Sequence, residues 1–172
     1  LDQRGIDAKG LAPAKADFDL IAGLKTHEDL GRAFGTAGLP LDGPFRIYID
    51  VNDKDPAHYL VWIRQWGLGM PDRDYYLKDD KEIATAREAY QRHLATMLGM
   101  AGVADPAARA AKIYDIERRI AEVQWANADR RDQDKIFNLM TPSELKAFAP
   151  DFPWSAFLAG AQIPEMSGGK ER

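Results

Sequence analysis

Three histidines, three serines and a scatter of carboxylates are the side chains that could do chemistry in this 172-residue chain. Zinc hydrolysis needs two or three convergent ligands and a base. Its most economical form is H-E-x-x-H on a helix, where the four-residue spacing sets both imidazoles on one face. His27, His58 and His93 lie far apart in sequence, and His27-Glu28 lacks the second His. Helix-borne di-iron sites need E-x-x-H pairs, which are missing as well. Ser143, Ser155 and Ser167 fall at helix caps or in the tail, with no G-x-S-x-G elbow around them. There is no cysteine, so disulfides, thiolate metal sites and Cys nucleophiles are excluded.

The remaining carboxylates have ordinary readings. Glu88, Glu117 and Glu122 sit among Arg and Lys on predicted helices, the pattern of solvated ion-pairing faces. Asp50, Asn52, Asp53 and Asp55 have the spacing of a calcium loop, but Asp55 stands where that loop requires Gly, and a hairpin turn accounts for them better. Gly67-x-Gly69 lacks the third glycine of a dinucleotide fingerprint and reads as a tight turn. No catalytic, substrate-binding or metal residue is therefore assigned to this chain, and no cofactor.

Composition agrees with a folded protein of one or two small cores: 45% of residues are hydrophobic and 29% charged. A net charge of −4 gives no electrostatic reason to bind nucleic acid. No apolar run approaches the ~18–20 residues of a membrane span, and Leu1 to Gly5 lack the basic and apolar regions of a signal peptide. The absence of an initial Met hints at a processed chain or a segment of a longer one.

The elements follow from periodicity. Residues 1–44 read as short helices: one over 11–25 with Phe18, Ile21 and Leu24 on a face, and a second opened by Thr26 and Asp29 as a capping box, with Gly35 and Gly38 as stops. Residues 45–66 alternate and are rich in β-branched and aromatic types, which predicts a β-hairpin turning at Asn52 to Pro56. Helices fill 79–160. The first is capped by Asp79 or Asp80 and runs to about Ala101, its apolar face being Ile83, Ala86, Tyr90, Leu94, Met97 and Leu98. The second starts at Asp105-Pro106 and runs to about Ala128 on a stripe of Ile113, Ile116, Ile120 and Val123. Thr141-Pro142-Ser143-Glu144 opens another, and Trp154, Phe157 and Leu158 turn inward from a last one. Residues 161–172 are expected to fray.

One linear segment stands out: Gly67-Leu68-Gly69-Met70-Pro71-Asp72-Arg73-Asp74-Tyr75-Tyr76-Leu77, directly after the hairpin. It resembles the G-L-G-L-P-x-R-D-Y-Y-L signature of the neprilysin and endothelin-converting-enzyme family of zinc metallopeptidases, with Met70 for the usual Leu. The likeness continues in register through Ile49 to Lys54, Ile116-Glu117 with Ile120-Ala121, Arg130-Arg131-Asp132, Ile136 to Thr141 with Glu144-Leu145, and Phe152 to Leu158. Phe137 stands where Tyr is usual.

The resemblance implies a mainly α fold: a helical lobe with one small β-hairpin at about 45–66, lacking the zinc-binding catalytic lobe. Residues 1–172 would form one helical domain within the N-terminal chamber-wall lobe of a larger peptide hydrolase. The zinc ligands and base of such enzymes lie in the other lobe, so zinc is expected in the full-length parent and not in this chain. Gly67, Gly69, Pro71, Arg73, Asp74, Tyr75 and Tyr76 are read as a structural signature, Arg73 joining the hairpin to the helices. Expected partners are peptide substrates acting through the full-length enzyme, the catalytic lobe of the same chain, and other copies through exposed apolar surface. An extracytoplasmic setting is implied by family alone. The alternative is a free-standing helical binding or scaffold module without catalysis.

Overall fold

A computed structural model describes residues 2–39 and 41–164. The expected fraying of 161–172 falls largely outside those residues. The described chain is mainly helical with one two-stranded antiparallel sheet, and it divides into two compact units, one of the described residues up to 41 together with 139–164 and one of residues 42–138.

The first unit contains α1 (Gln3–Lys9), a 3-10 turn at Ala12–Ala14 that leads into α2 (Lys15–Gly23), then α3 (His27–Gly35), α8 (Pro142–Phe148) and α9 (Trp154–Gly160). Both capping boxes form. Thr26 Oγ1 accepts from Asp29 N at 3.0 Å while Asp29 accepts from Thr26 N, and Thr141 and Glu144 exchange the same pair of bonds. The face of α2 predicted to pack is open, with Phe18 and Ile21 exposed.

The core of this unit lies between α3 and α9. A Cβ on Gly35 would collide with the Phe157 carbonyl oxygen, and one on Gly160 with the carbonyl of Arg32, so the two helices meet backbone to backbone. Trp154, Phe157 and Leu158 are buried, as their spacing predicts. Phe152, Trp154 and Phe157 stack edge to face with centroids 4.6–5.9 Å apart.

The second unit opens with the hairpin, β1 (Phe45–Asn52) and β2 (Asp55–Gln65), paired from Phe45↔Gln65 to Asn52↔Asp55. The turn is tighter than predicted. Asp53 and Lys54 alone make it, braced by Asn52 Oδ1 accepting from Lys54 N at 2.9 Å, and β2 starts at Asp55. Val51 pairs with Tyr59 but Asn52 with Asp55, so 56–58 bulge out of the ladder. Pro56, which has no N–H to give, sits in that bulge.

A helical turn, α4 (Asp74–Leu77), leads to α5 (Lys81–Met100) and α6 (Pro106–Val123), and a 3-10 turn at Asp129–Arg131 leads to α7 (Gln133–Ile136). Asp80 caps α5 through bonds from Glu82 N and Ile83 N. Its inward face matches the expectation except at Met97, which is exposed.

Helix α6 departs from its predicted form in three ways. Asp105 holds the N-cap position with φ 51° and makes no side-chain cap bond, because the α region is disfavoured before Pro106 and Asp tolerates the left-handed one. The helix stops at Val123 rather than near Ala128, since the Trp125 N–H is taken by Gln65 Oε1 at 2.9 Å. The predicted stripe is also only half realised: Ile113 and Ile120 are half-buried, but Ile116 is 55% and Val123 80% exposed, and the fully buried residues are Ala110 and Ala121. Two tyrosine hydroxyls that require an acceptor turn the Glu117 side of the helix inward instead.

Candidate functional site

The signature turn gathers hydrogen bonds from both α5 and α6. Gly67 has φ +86°, a conformation open to glycine, and a Cβ there would lie 2.8 Å from the Gly43 carbonyl oxygen, so chain reversal and close approach to the Gly43-Pro44 segment leading into β1 both need this residue. A Cβ on Gly69 would strike the Tyr90 hydroxyl. That contact lets α5 close against the turn.

Behind Gly69 lies a polar knot around one carboxylate. Tyr76 Oη donates to Glu117 Oε2 at 2.9 Å and Tyr90 Oη donates to Glu117 Oε1 at 2.9 Å. Tyr76 Oη also accepts from Met70 N at 3.0 Å. Met70, Tyr76 and Ala121 are buried together, with Leu68, Tyr75, Leu77, Tyr90 and Tyr114 packed around them, and Tyr114 stacks on Tyr76 at 5.7 Å. Burial raises the pKa of both phenols above the usual tyrosine value, and the Glu117 carboxylate raises it further. Both carboxylate oxygens carry a phenolic donor, which is the arrangement of a fastener rather than a waiting base.

The rest of the signature ties the same turn down. Arg73 Nε donates to the Ala121 carbonyl at 3.1 Å, linking the turn to α6. Asp72 accepts from Asp74 N and from Asn127 Nδ2, Asp74 pairs with Lys78 at 2.8 Å, and Arg87 donates to the Tyr76 carbonyl at 3.1 Å. Pro71 and Tyr75 complete the segment. The hairpin is held to α6 through other residues, Gln124 Nε2 donating to the Trp66 carbonyl at 2.7 Å and Gln65 bonding both ways with the Trp125 main chain. Sequence reading passed over these glutamines, and also placed Glu117 on a solvated face. The signal for Glu117 was its place seven residues beyond Ala110 and four before Ala121, on the stripe of small residues.

Glu88 and Glu122 form exposed i,i+4 pairs with Arg92 and Arg118, as their helices predicted. The three histidines stand on three different elements, α3, β2 and α5. His58 Nδ1 lies 2.7 Å from Asp55 Oδ2. Asp50 accepts from Val51 N, and Asn52 braces the turn, so the carboxylates of the hairpin tip serve the hairpin. Among the described residues no group of three or more His, Cys, Asp or Glu converges as a metal would require, and zinc therefore does not fit this set of donors. Among those residues no helix is long and apolar enough to cross a membrane.

Comparison with known proteins gives the setting of this knot. The model for the N-terminal part of Peptidase family M13 matches residues 1–171. Endothelin-converting enzyme 1 of Rattus norvegicus is 29% identical over 122 residues, which is 70% of this chain and 16% of that protein. The Homo sapiens enzyme is 29% identical over 116 residues, 66% of this chain and 15% of its own length. Among solved structures, the zinc metalloprotease Zmp1 of Mycobacterium tuberculosis superposes with a TM-score of 0.82 in its open state and 0.83 in complex with an inhibitor. Each is 30% identical and covers 92% and 93% of this chain, but 25% of the longer one. The chain thus spans a minor share of the relatives it matches. With a match along nearly its whole length, it belongs to Peptidase family M13.

Proposed function

We propose that this chain forms part of the wall of a substrate chamber in a zinc-dependent metalloendopeptidase, and contributes none of the catalytic groups. The observation that carries the reading is the knot at Glu117. Around the signature segment the hydrogen-bonding groups of Asp72, Arg73 and Tyr76, with Tyr90 of α5 and Glu117 of α6, are spent on one another, on Asn127 and on the main chain. Side chains used in this way set the rigidity of a wall and leave nothing to polarise a peptide carbonyl or activate water. The two units together would make up one part of a single lobe, with an extracytoplasmic setting on family grounds.

Zinc chemistry, in this reading, belongs to sequence that the chain does not contain, and no step of hydrolysis is assigned to residues 1–172. The purified chain, dialysed against zinc and analysed by atomic emission, should retain no stoichiometric metal, and it should leave a fluorogenic peptide uncut. Chelator-sensitive peptidase activity from this chain alone would overturn the reading.

A further inference from the structure

Helix α6 turns towards solvent a stripe of five side chains. Arg109, Lys112, Ile116, Arg119 and Val123 recur at spacings of three, four, three and four residues. At ~100° per residue they share an arc of about 80°, away from the side that buries Ala110 and Ala121. All five are exposed, Ile116 by 55% and Val123 by 80%.

The cations of this stripe are unspent. Arg118, on the same helix, pairs with Glu122 at 3.1 Å, but among the described residues Arg109, Lys112 and Arg119 enter no side-chain hydrogen bond, ion pair or ring contact. Asp115 stands three residues after Lys112 and four before Arg119, the spacings of helix ion pairs, and bonds to neither. The three-four alternation is that of a coiled-coil seam, narrower than a face packed on a globular core. Cations fill three of its five positions, where apolar residues ordinarily stand.

We propose that this seam docks an acidic amphipathic helix of another polypeptide, whose apolar side chains cover Ile116 and Val123 while its carboxylates meet Arg109, Lys112 and Arg119. The carboxylates supply charge-assisted hydrogen bonds that the stripe lacks within its own chain. The apolar pair sets the register, one contact per heptad. Asp115 and Glu122, seven residues apart along one flank, repel a helix that carries acids all round and favour one with basic residues beside its acidic seam.

Charge and composition select this occupant over others. A second copy does not fit, since three cations laid against three cations and two apolar residues must set at least one cation on another. A lipid surface fits poorly: the chain is net −4, and two aliphatic side chains are fewer than an interfacial helix buries. A face packed permanently within one polypeptide is apolar like a core, whereas a seam with three cations in five suits a contact that forms and parts. Its length of about 21 Å, at ~1.5 Å per residue, keeps the complex weak.

Fluorescence anisotropy tests this with the 172-residue chain and a labelled synthetic helix of about three heptads, carrying Glu and Leu on one seam and Lys at its flanks. Binding should saturate in the micromolar range and weaken with added salt. A peptide of the same composition with the seam scrambled should bind about tenfold more weakly or worse. The Lys112→Glu, Arg119→Glu double variant should lose the Glu-seam peptide by a similar factor and prefer one with Lys on its seam. Circular dichroism checks that it folds, and Lys112→Gln with Arg119→Gln, with a smaller weakening expected, replaces it if it does not. Absence of saturable binding, equal binding of the scrambled peptide, or folded variants that bind like the parent would each overturn the proposal. So would a chain that co-sediments with vesicles of equal parts phosphatidylglycerol and phosphatidylcholine more readily than it binds the peptide, since the stripe would then serve a membrane.

Discussion

The α3–α9 contact and the knot at Glu117 solve the same problem with opposite chemistry. Between α3 and α9 the helices meet through Gly35 and Gly160 with an aromatic cluster beside them, and complementarity of shape does the holding. At the signature turn, two phenols, a main-chain N–H and a carboxylate hold it. The apolar contact fails when volume is added. The polar one fails when a partner is removed, because a buried donor left without an acceptor costs more than the bond was worth. Each failure can be provoked separately.

The largest effect is expected at the glycine contact. Gly35→Val drives its Cβ into the Phe157 carbonyl and the Ala161 N, and neither is the end of a flexible side chain. Helix α9 must shift bodily, at a cost of about 3 kcal/mol or more. Hydrogen exchange across Trp154 to Gly160 should speed up accordingly, and unchanged protection there would show that the contact is slack.

Next comes Glu117→Ala, which strands both hydroxyls and should cost about 2 kcal/mol, with Glu117→Gln recovering about half because its amide oxygen still accepts one bond. Urea unfolding of the two variants reads the difference. The knot also predicts an alkaline limb. Tyr76 and Tyr90 have pKa values above the unfolded value of 10.0, so the native state keeps protons that the unfolded chain releases. Their contribution is complete below pH 10 and is lost as the pH rises beyond it. The Tyr76→Phe, Tyr90→Phe double variant should flatten that limb, and an unchanged slope would deny the knot its role.

How much of this was legible beforehand follows from the same contrast. Caps are local, a side chain three residues from the N–H it serves, and Thr26–Asp29, Asp80 and Thr141–Glu144 were all visible in the sequence. So were the hairpin and the inward turn of Trp154, Phe157 and Leu158, because periodicity carries them. Glu117 was not, since an acid followed by two arginines looks solvated until the two tyrosines that need it, 41 and 27 positions earlier, are brought alongside. The end of α6 escaped for the same reason: its terminator, Gln65, lies 60 residues away. The family signature located the turn, while only the three-dimensional arrangement shows what closes it.

The caps give the smaller and most local tests. Thr141→Ala removes the acceptor for Glu144 N and should cost about 1 kcal/mol, seen in thermal unfolding.

Smallest of all is the acid limb. The main-chain N–H of Lys25, then the hydroxyl and N–H of Thr26, hold the Asp29 carboxyl below its usual value of 3.8, and bonds from Thr141 hold Glu144 below 4.5. A depressed carboxyl pKa contributes stability above the unfolded value, and that contribution fades as the pH falls through the folded one. Both groups are fully exposed, so water screens most of it. Between pH 5 and pH 3 the first turns of α3 and α8 should therefore fray, while the Met70 N–H, which is held by the Tyr76 hydroxyl, should keep its bond. Amide exchange at Asp29 and Glu144 should rise over that interval and exchange at Met70 should not. If Met70 loosened with them, the separation between local caps and the buried knot would not hold.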